Sequence, residues 1–328
     1  MGIIFSSCFR DKRPGFTLIE LLVTIVIIGI LAAISIATFG DFQRDARIGA
    51  YRSERRQYAM ESTADCIGDQ EISNCDFYSI YYVNDADGGK LYKKGLNPGE
   101  GEPLTTVDVR RAIVSPNGRE IIYINDNASQ RMYRKDNNVL DDGVQIDTFS
   151  TGQVDISPDM QYIAYGPYSS GSNGIYIRGY NATGAGTLIS NDKGVGIKFS
   201  PDATRIYYAD RTANYELVSI NLSGGDKEEL VSTRTANFDF SPNGKYVVYR
   251  NMDDGDALYY TSLKGGGTPV KITNHAAGSP QFTFDGNAVY YRNLDDNDRL
   301  YKKSPIYELG DGNLFTDIDL QNVLEIYP

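Results

Sequence analysis

The sequence contains no tryptophan and a single histidine, His275, among its 328 residues. Histidine is the commonest general base and a frequent zinc ligand, so most chemistry of those kinds lacks its usual residue here. The Gly-x-Ser-x-Gly segment of serine hydrolases is also missing. Acidic residues are abundant, yet no spacing among them singles out a catalytic pair. We therefore predict that the protein is not an enzyme.

Positive charge is also in short supply. The chain has 32 Lys and Arg against 43 Asp and Glu, which gives a net charge of −11. This excess of negative charge argues against nucleic acid or anionic lipid as the partner of the main domain. By contrast, 33 Gly and 25 Tyr are present, a composition typical of many short strands separated by turns.

One long apolar run stands near the N-terminus. It extends from Phe16 to Phe39, is interrupted by a single acid, Glu20, and follows a basic leader that ends in Gly15. About 20 apolar residues are enough to cross a bilayer as a helix, and a carboxylate inside such a span indicates a function. Because basic residues precede the span, we expect a single-pass protein of the inner or cytoplasmic membrane with its N-terminus in the cytoplasm.

The segment from Arg13 to Ile34 resembles the N-terminus of type IV pilins and of type II secretion pseudopilins. The resemblance implies that a prepilin peptidase cuts after Gly15, and that Phe16, followed by Thr17, becomes the methylated N-terminus. It also implies that Glu20 pairs with the free amine of a neighbouring subunit, since two unpaired charges in an apolar fibre would be costly. The implied partners are the peptidase, other pilin or pseudopilin subunits, and the membrane before assembly.

Two alternatives account for parts of the same segment. A secretory signal peptide has an apolar region of about 7–15 residues with cleavage after it, whereas this run is longer and its expected cleavage site precedes it. A plain signal anchor explains the length and the basic flank, but not the sequence Gly-Phe-Thr-Leu-Ile-Glu.

Beyond the span, apolar residues recur among charged ones at helical spacing. We predict a leader over residues 1–15, one continuous helix over 16–64 that spans the membrane at about 16–39, and a linker over 65–77. The linker contains Cys66 and Cys75. An even pair of cysteines in an exported chain favours a disulfide, and two free buried thiols are the alternative.

A turn motif repeats through the rest of the chain. Its copies begin at Ser115, Ser157, Ser200, Ser241 and Thr283, at intervals of 42, 43, 41 and 42 residues. In the first four copies the motif is Ser-Pro followed by Asn or Asp, and a strand-like run with tyrosine follows each copy. A period near 40 residues, with a turn signal and several short strands in each unit, is typical of propeller blades.

A truncated sixth unit precedes these five. Residues 78–83 and 90–93 match the second and third strands of the other units, but no inner strand precedes them. Residues 315–320 and 323–327 stand where a next repeat would begin, so we predict that this tail supplies the missing strand and removes exposed sheet edges. The units resemble the Ser-Pro-Asp-Gly repeats of TolB-type, WD40-like propellers. The predicted fold is therefore a long N-terminal α-helix and, over 78–328, an all-β six-bladed propeller closed by the C-terminal strand.

Acidic hairpins occupy the same place in three of these units, at residues 84–89, 251–256 and 293–298. Alternating aspartates with glycine at the bend resemble parts of calcium loops, although a complete loop with its terminal glutamate does not occur. Asp, Asn and Gly are also what a tight hairpin needs, which is the alternative. The candidate calcium ligands are Asp85, Asp87, Asp253, Asp254, Asp256, Asp295, Asp296 and Asp298; no other cofactor is expected.

The combined features predict a filament subunit. The helix would assemble it into a type IV pilus-type filament or a secretion pseudopilus outside the cytoplasmic membrane. The propeller would then be displayed, on a minor or tip subunit, for adhesion or for binding an unknown protein or glycan. The alternatives are a type II secretion pseudopilin that recognises exported proteins and a membrane-tethered propeller that never polymerises.

Overall fold

The computed structural model describes residues 18–28, 42–50, 53, 79–95, 101–168, 173–264, 267–283, 286–304, 306, 311–319 and 323–327. The chain divides into two compact units, Met1–Ala46 and Arg47–Pro328. Among the described residues, those at 18–28 and 42–50 are helical. The second unit adds two short 3-10 helices, Asp85–Asp87 and Arg211–Ala213, and otherwise consists of strands.

The strands follow one another with short connections throughout the second unit. The first group is β1 (Ser79–Asn84), β2 (Lys90–Lys94), β3 (Glu102–Val114), β4 (Glu120–Asn125), β5 (Arg131–Asp136) and β6 (Val144–Gln145). Next come β7 (Thr151–Ile156), β8 (Tyr162–Pro167), β9 (Ile175–Gly179), β10 (Thr187–Ser190), β11 (Gly194–Phe199), β12 (Arg205–Asp210), β13 (Glu216–Asn221) and β14 (Glu228–Val231). The last are β15 (Thr235–Phe240), β16 (Tyr246–Asn251), β17 (Ala257–Ser262), β18 (Val270–Lys271), β19 (Ala277–Phe282), β20 (Val289–Asn293), β21 (Arg299–Lys303), β22 (Asn313–Asp319) and β23 (Val323–Tyr327).

These strands form five antiparallel sheets rather than the six separate blades that the repeats predicted. Four sheets have four strands each, and the fifth has seven, in the order β23-β1-β2-β3-β4-β5-β6. The prediction of six blades is therefore wrong, and the second unit is a five-bladed propeller. The repeat period marks the turns after the inner strands, but it does not show whether two neighbouring units share a strand.

The shared strand is β3, which runs without a break for 13 residues. Its first half pairs with β2 and its second half, from Val109, pairs with β4. In the other units a segment with turn-forming Ser, Asn or Asp separates the outer strand from the next inner strand. Here Thr105, Thr106 and Val107 occupy that place, and β-branched residues favour a continuing strand over a turn.

The C-terminal strand returns to the first one. β23 pairs antiparallel with β1 from Ser79 opposite Tyr327 to Tyr82 opposite Val323, so the tail covers an edge that β1 would otherwise expose.

The predicted long N-terminal helix is described over only part of its length. Of residues 16–64, only 18–28, 42–50 and 53 are described, and they form short helical segments. The described residues of this range are helical, and the continuity of the predicted helix lies outside the described residues.

A buried tyrosine recurs at one position of the second strand in each repeat. Tyr123, Tyr165, Tyr208, Tyr249 and Tyr291 are all at most 1% exposed. Four of them pack against a tyrosine of the third strand, with ring centroids 5.6–6.0 Å apart. Burial raises the pKa of Tyr249 to about 12, because ionisation would place a charge among apolar neighbours. The abundant tyrosine therefore serves mainly to join strands and fill the core.

One hydrogen-bond network explains why the Ser-Pro turns share a sequence. In each of the five turns the hydroxyl oxygen accepts the backbone N–H of the residue five positions later, at 2.9–3.0 Å. In the four Ser-Pro turns the same hydroxyl donates to the Asn or Asp two positions later, at 2.6–2.8 Å. These hydroxyl-bearing residues are 0–4% exposed, so water cannot replace them.

We expect Ser241→Ala to lower the free energy of unfolding by about 1–3 kcal/mol, because it removes a buried hydroxyl and leaves the Tyr246 N–H without its acceptor. Ser241→Thr is the matched control, since Thr283 accepts the equivalent N–H in its own turn at 3.0 Å. Urea unfolding of the full chain in detergent, followed by circular dichroism, measures both. Equal losses for the alanine and threonine variants would show that packing, not the hydroxyl, holds the turn.

Candidate functional site

Of the N-terminal residues implicated in processing and assembly, Gly15, Phe16 and Thr17 lie outside the described residues. Glu20 is described, and it lies exposed in the helical segment 18–28. Thr24 donates its hydroxyl to the carbonyl oxygens of Glu20 and Leu21, both at 2.8 Å. The hydroxyl of Thr24 is thus hydrogen-bonded within the helix. Glu20 is the only ionisable side chain of the segment 18–28.

Every apolar side chain of segment 18–28 is exposed, from 47% at Val23 to 80% at Leu18. A helix that is apolar on all sides requires a cover of lipid or protein. Within the described residues, no helix has both the length and the apolar character needed to cross a membrane. The predicted span at 16–39 lies partly outside the described residues. Both predicted disulfide residues, Cys66 and Cys75, lie wholly outside them.

The hairpins that join the second and third strands share one geometry, and five of them are described. Each begins with Asn or Asp, at Asn84, Asn125, Asp210, Asn251 and Asn293, and the fifth and sixth residues of each have positive φ. In four of the five, the carbonyl of the sixth residue accepts the N–H that begins the next repeat's inner strand, at 2.8–3.0 Å. The hairpins therefore lie at the end of the sheets where the inner strands start; we call this end the hairpin face.

The aspartates predicted to bind calcium have structural partners in the hairpins. At the fourth position, Asp87, Asp254 and Asp296 each accept a tyrosine hydroxyl of the third strand, at 2.6–2.8 Å. Hydrogen bonds from Tyr92 and Lys90 lower the pKa of Asp87, and bonds from Lys271 and Tyr259 lower that of Asp254. These carboxylates already have donors that stabilise their charge.

The other predicted ligands have structural partners as well. Asp253 and Asp295 accept backbone N–H groups at 2.9 and 3.1 Å, while Asp256 and Asp298 face Arg250 and Arg292. Asp85 lies in the 3-10 helix of the first hairpin. In the part of the chain that the structure describes, no three acidic, His or Cys side chains are grouped to hold a metal. Calcium binding stays a prediction, and the turn alternative accounts for these residues.

Charged side chains near the ends of the inner strands link one repeat to the next. Asp155 accepts the N–H of Phe199 at 2.6 Å, and Asp239 accepts that of Phe282 at 2.8 Å. Lys198 donates to Asp239 at 2.8 Å. Burial raises the pKa of Asp155 to about 6, even though Lys198 lowers it. The sequence analysis missed this group; its signal is a polar residue two positions before each turn hydroxyl in the last four repeats.

The only histidine has a packing role. His275 lies between two repeats, with its Nδ1 3.0 Å from Asp311 and its ring 5.6 Å from that of Tyr291. Asp311 also accepts the N–H of Asn274 at 2.9 Å. The contacts of Asp311 therefore join the segment before β22 to the segment before β19.

Comparison with solved structures agrees with the fold. The chain is similar to TolB from Acinetobacter baumannii, with a TM-score of 0.53 and 14% identity, over 70% of this chain and 61% of that one. It is also similar to a putative TolB from Agrobacterium tumefaciens, with a TM-score of 0.52 and 16% identity, over 69% of this chain and 84% of that one. At such low identity the likeness shows a TolB-like propeller fold and no shared function.

The chain is also similar to a protein family and to a curated protein. Residues 10–36 match the family model described as the prokaryotic N-terminal methylation motif. A curated relative, the fimbrial protein EcpB of Eikenella corrodens, is 31% identical over 132 residues, which make up 36% of this chain and 83% of the relative. The chain belongs to the family of this fimbrial protein and carries the methylation motif at its N-terminus.

Proposed function

We propose that the protein is a minor or tip subunit of a type IV pilus-type filament, assembled through its N-terminal helix and displaying the propeller for binding. The observation that carries the proposal is the apolar segment 18–28, exposed on all sides and interrupted by one acid. Lipid covers such a surface before assembly, and neighbouring copies of the same segment cover it in a filament. The fimbrial relative favours a pilus over a secretion pseudopilus.

Processing gives Glu20 its role in this proposal. Cleavage after Gly15 leaves a free amine at Phe16, four residues before the carboxylate. Inside an apolar bundle each charge alone is costly, and pairing between neighbouring subunits satisfies both. The pair also fixes the axial register between subunits, because the two groups meet at only one offset. A prepilin peptidase and other pilin subunits are the partners that this route requires.

The size of the propeller supports the minor or tip position. The second unit extends from Arg47 to Pro328, and such bulky domains would collide if every subunit of a helically packed shaft carried one. A subunit used sparingly, or at the end, avoids the collision. The proposal assigns the propeller a binding role outside the cytoplasmic membrane and no enzymatic activity.

Mass spectrometry of the N-terminus tests the route. We expect the chain in sheared surface filaments to begin at N-methylated Phe16, because the resemblance of residues 13–34 to pilins implies a cut after Gly15 and the match to the methylation motif supports it. The same protein from a strain that lacks prepilin peptidase is the control, and it should retain Met1. Filament-associated protein that begins at Met1 would contradict the processing and the assembly together.

A further inference from the structure

One hairpin differs in chemistry from the others on the hairpin face. In the hairpins at 251–256 and 293–298, the third, fourth and sixth residues are all aspartate. In the hairpin at 210–215 the same three positions hold Thr212, Ala213 and Tyr215, and the second position holds Arg211 in place of Met252 or Leu294. This hairpin therefore presents a cation where those two hairpins have an apolar side chain, and an aromatic ring where they have a carboxylate at the sixth position.

The backbone conformation at the sixth position of the hairpin does not favour a tyrosine. Tyr215 has a φ of +65°, in the left-handed region that glycine adopts most easily; the same position of the other hairpins holds Gly89, Gln130, Asp256 and Asp298. Its hydroxyl accepts the Arg211 Nε–H at 3.1 Å, and its ring centroid lies 5.7 Å from the guanidinium. A bulky residue kept in a strained conformation so that it holds an arginine in place indicates a functional site.

Arg211 lines a pocket of about 200 Å³ on the hairpin face. The charged residues of its wall are three cations, Arg110, Lys193 and Arg211, against one carboxylate, Asp192. That carboxylate is already engaged, because Tyr208 and Lys227 donate to it at 2.5 and 2.8 Å. In the described part of the chain, neither Lys193 nor Arg211 has a carboxylate within ion-pair distance. The pocket is thus locally cationic in a protein of net charge −11.

A second arginine–tyrosine pair forms the opposite part of the wall. The Arg110 guanidinium lies 4.3 Å from the ring centroid of Tyr168 and donates to its hydroxyl at 2.7 Å. Asp126 accepts from Arg110 Nε at 3.3 Å and holds it from the other side. Tyr168 remains 41% exposed, so the pocket offers an aromatic surface next to fixed donors.

We propose that this pocket binds a carboxylate-bearing sugar residue, such as a uronic acid of a surface polysaccharide. Lys193 and Arg211 hold the carboxylate, since a planar guanidinium pairs with it through two parallel hydrogen bonds. Tyr168 packs against the C–H face of the sugar ring. The proposal deepens the display role given above, because it names the class of ligand that the propeller would capture.

The surroundings favour a sugar over a peptide strand. Peptides commonly bind by adding a strand to a sheet with free N–H and C=O groups. Around this pocket those groups are paired: Arg211 N–H donates to the Lys193 carbonyl, Gly174 N–H to that of Asp192, and Tyr168 N–H to that of Ser150, at 3.0–3.1 Å. The volume of about 200 Å³ is below that of a drug-sized site and suits a single ring.

Calorimetry on the full chain in detergent tests the proposal with a matched pair of probes. Methyl glucuronide should bind at least about tenfold more tightly than methyl glucoside, which carries a neutral hydroxymethyl group in place of the carboxylate, since hydrogen bonds to a charged group are stronger than neutral ones. The double substitution Arg211→Met with Tyr215→Asp reproduces two residues of the hairpin at 251–256, where this backbone accepts them. It should abolish the preference for the glucuronide. Lys264→Gln, on an exposed lysine away from the pocket, should leave it unchanged.

Three outcomes would overturn the proposal. Equal binding of both sugars would show that the carboxylate is not recognised, and loss with Lys264→Gln would show attraction to any cation. Stronger binding of a glutamate-terminated peptide than of the glucuronide would assign the pocket to a protein partner. The test is separate from that of assembly, because a failure here leaves incorporation into filaments intact, and a failure of assembly leaves glucuronide binding by the purified chain intact.

Discussion

Glu20→Leu is expected to exclude the protein from filaments while its propeller stays folded. The substitution removes one partner of the proposed pair and leaves the Phe16 amine uncompensated in an apolar bundle. Breaking a buried pair in this way costs about 3–5 kcal/mol, which corresponds to a decrease of a hundredfold or more in assembly affinity. The measurement is the fraction of this chain in sheared filaments relative to the membrane, which detects incorporation even when another subunit builds the shaft.

The matched control for this experiment is Leu21→Ile, an apolar exchange at the neighbouring position of the same exposed helical segment. It should incorporate normally. Limited proteolysis of the membrane-bound Glu20→Leu protein should give the wild-type pattern, because the strands from Ser79 onward do not involve Glu20. Normal incorporation of the Glu20→Leu protein would contradict the pairing, whereas absence of the wild-type chain from filaments would favour a tethered propeller that does not polymerise.

Deleting residues 323–328 is expected to convert the protein into an aggregating, protease-sensitive form. Without β23, the paired edge of β1 from Ser79 to Tyr82 becomes exposed. Four paired positions at about 0.5–1.5 kcal/mol for each hydrogen bond amount to about 2–6 kcal/mol, a large share of the ~5–15 kcal/mol by which domains are stable. The exposed edge is also a template for pairing with other chains.

Thermal unfolding and size-exclusion chromatography measure the effect of this truncation. Removal of Pro328 alone is the control, since β23 ends at Tyr327 and keeps its pairing. The truncated protein should unfold at a lower temperature and elute as aggregates, and the control should match the full chain. A truncated protein that melts and elutes like the full chain would show that β23 does not stabilise the first sheet.

The parts of the structure that sequence could predict are those set by local chemistry. The Ser-Pro turns were recognisable because a hydroxyl, a proline and an Asx residue form a self-contained network, as around Ser241. The pairing of the tail with β1 followed from a unit that lacked one strand. The number of sheets did not follow, because it depends on whether Thr105–Val107 continue a strand or turn, and that is decided by pairing with both β2 and β4.

The sites, too, divide into those set by one short segment and those set by contacts between distant parts of the chain. The methylation motif was visible in sequence because its chemistry lies within one short segment. The aspartates of the hairpins predict calcium from sequence, and only the folded chain shows that Tyr259 and Lys271 donate to Asp254. The pocket at Arg211 joins residues of three repeats, so only the folded chain reveals it. Its one sequence signal, an arginine at the second position and a tyrosine at the sixth position of the hairpin, required the hairpins to be aligned.

The position of β1 determines how the propeller bears mechanical load. The N-terminal segment enters the propeller at Ser79, at the opposite end of β1 from the hairpin that begins at Asn84. If the proposed display role holds, we expect part of the tension between a bound ligand and the N-terminal segment to act along β1, which is bonded to β2 on one side and β23 on the other. Pulling parallel to the strands loads both rows of hydrogen bonds together, in shear, instead of opening them one at a time. We therefore expect the pairing of β23 with β1 to strengthen the propeller against such tension.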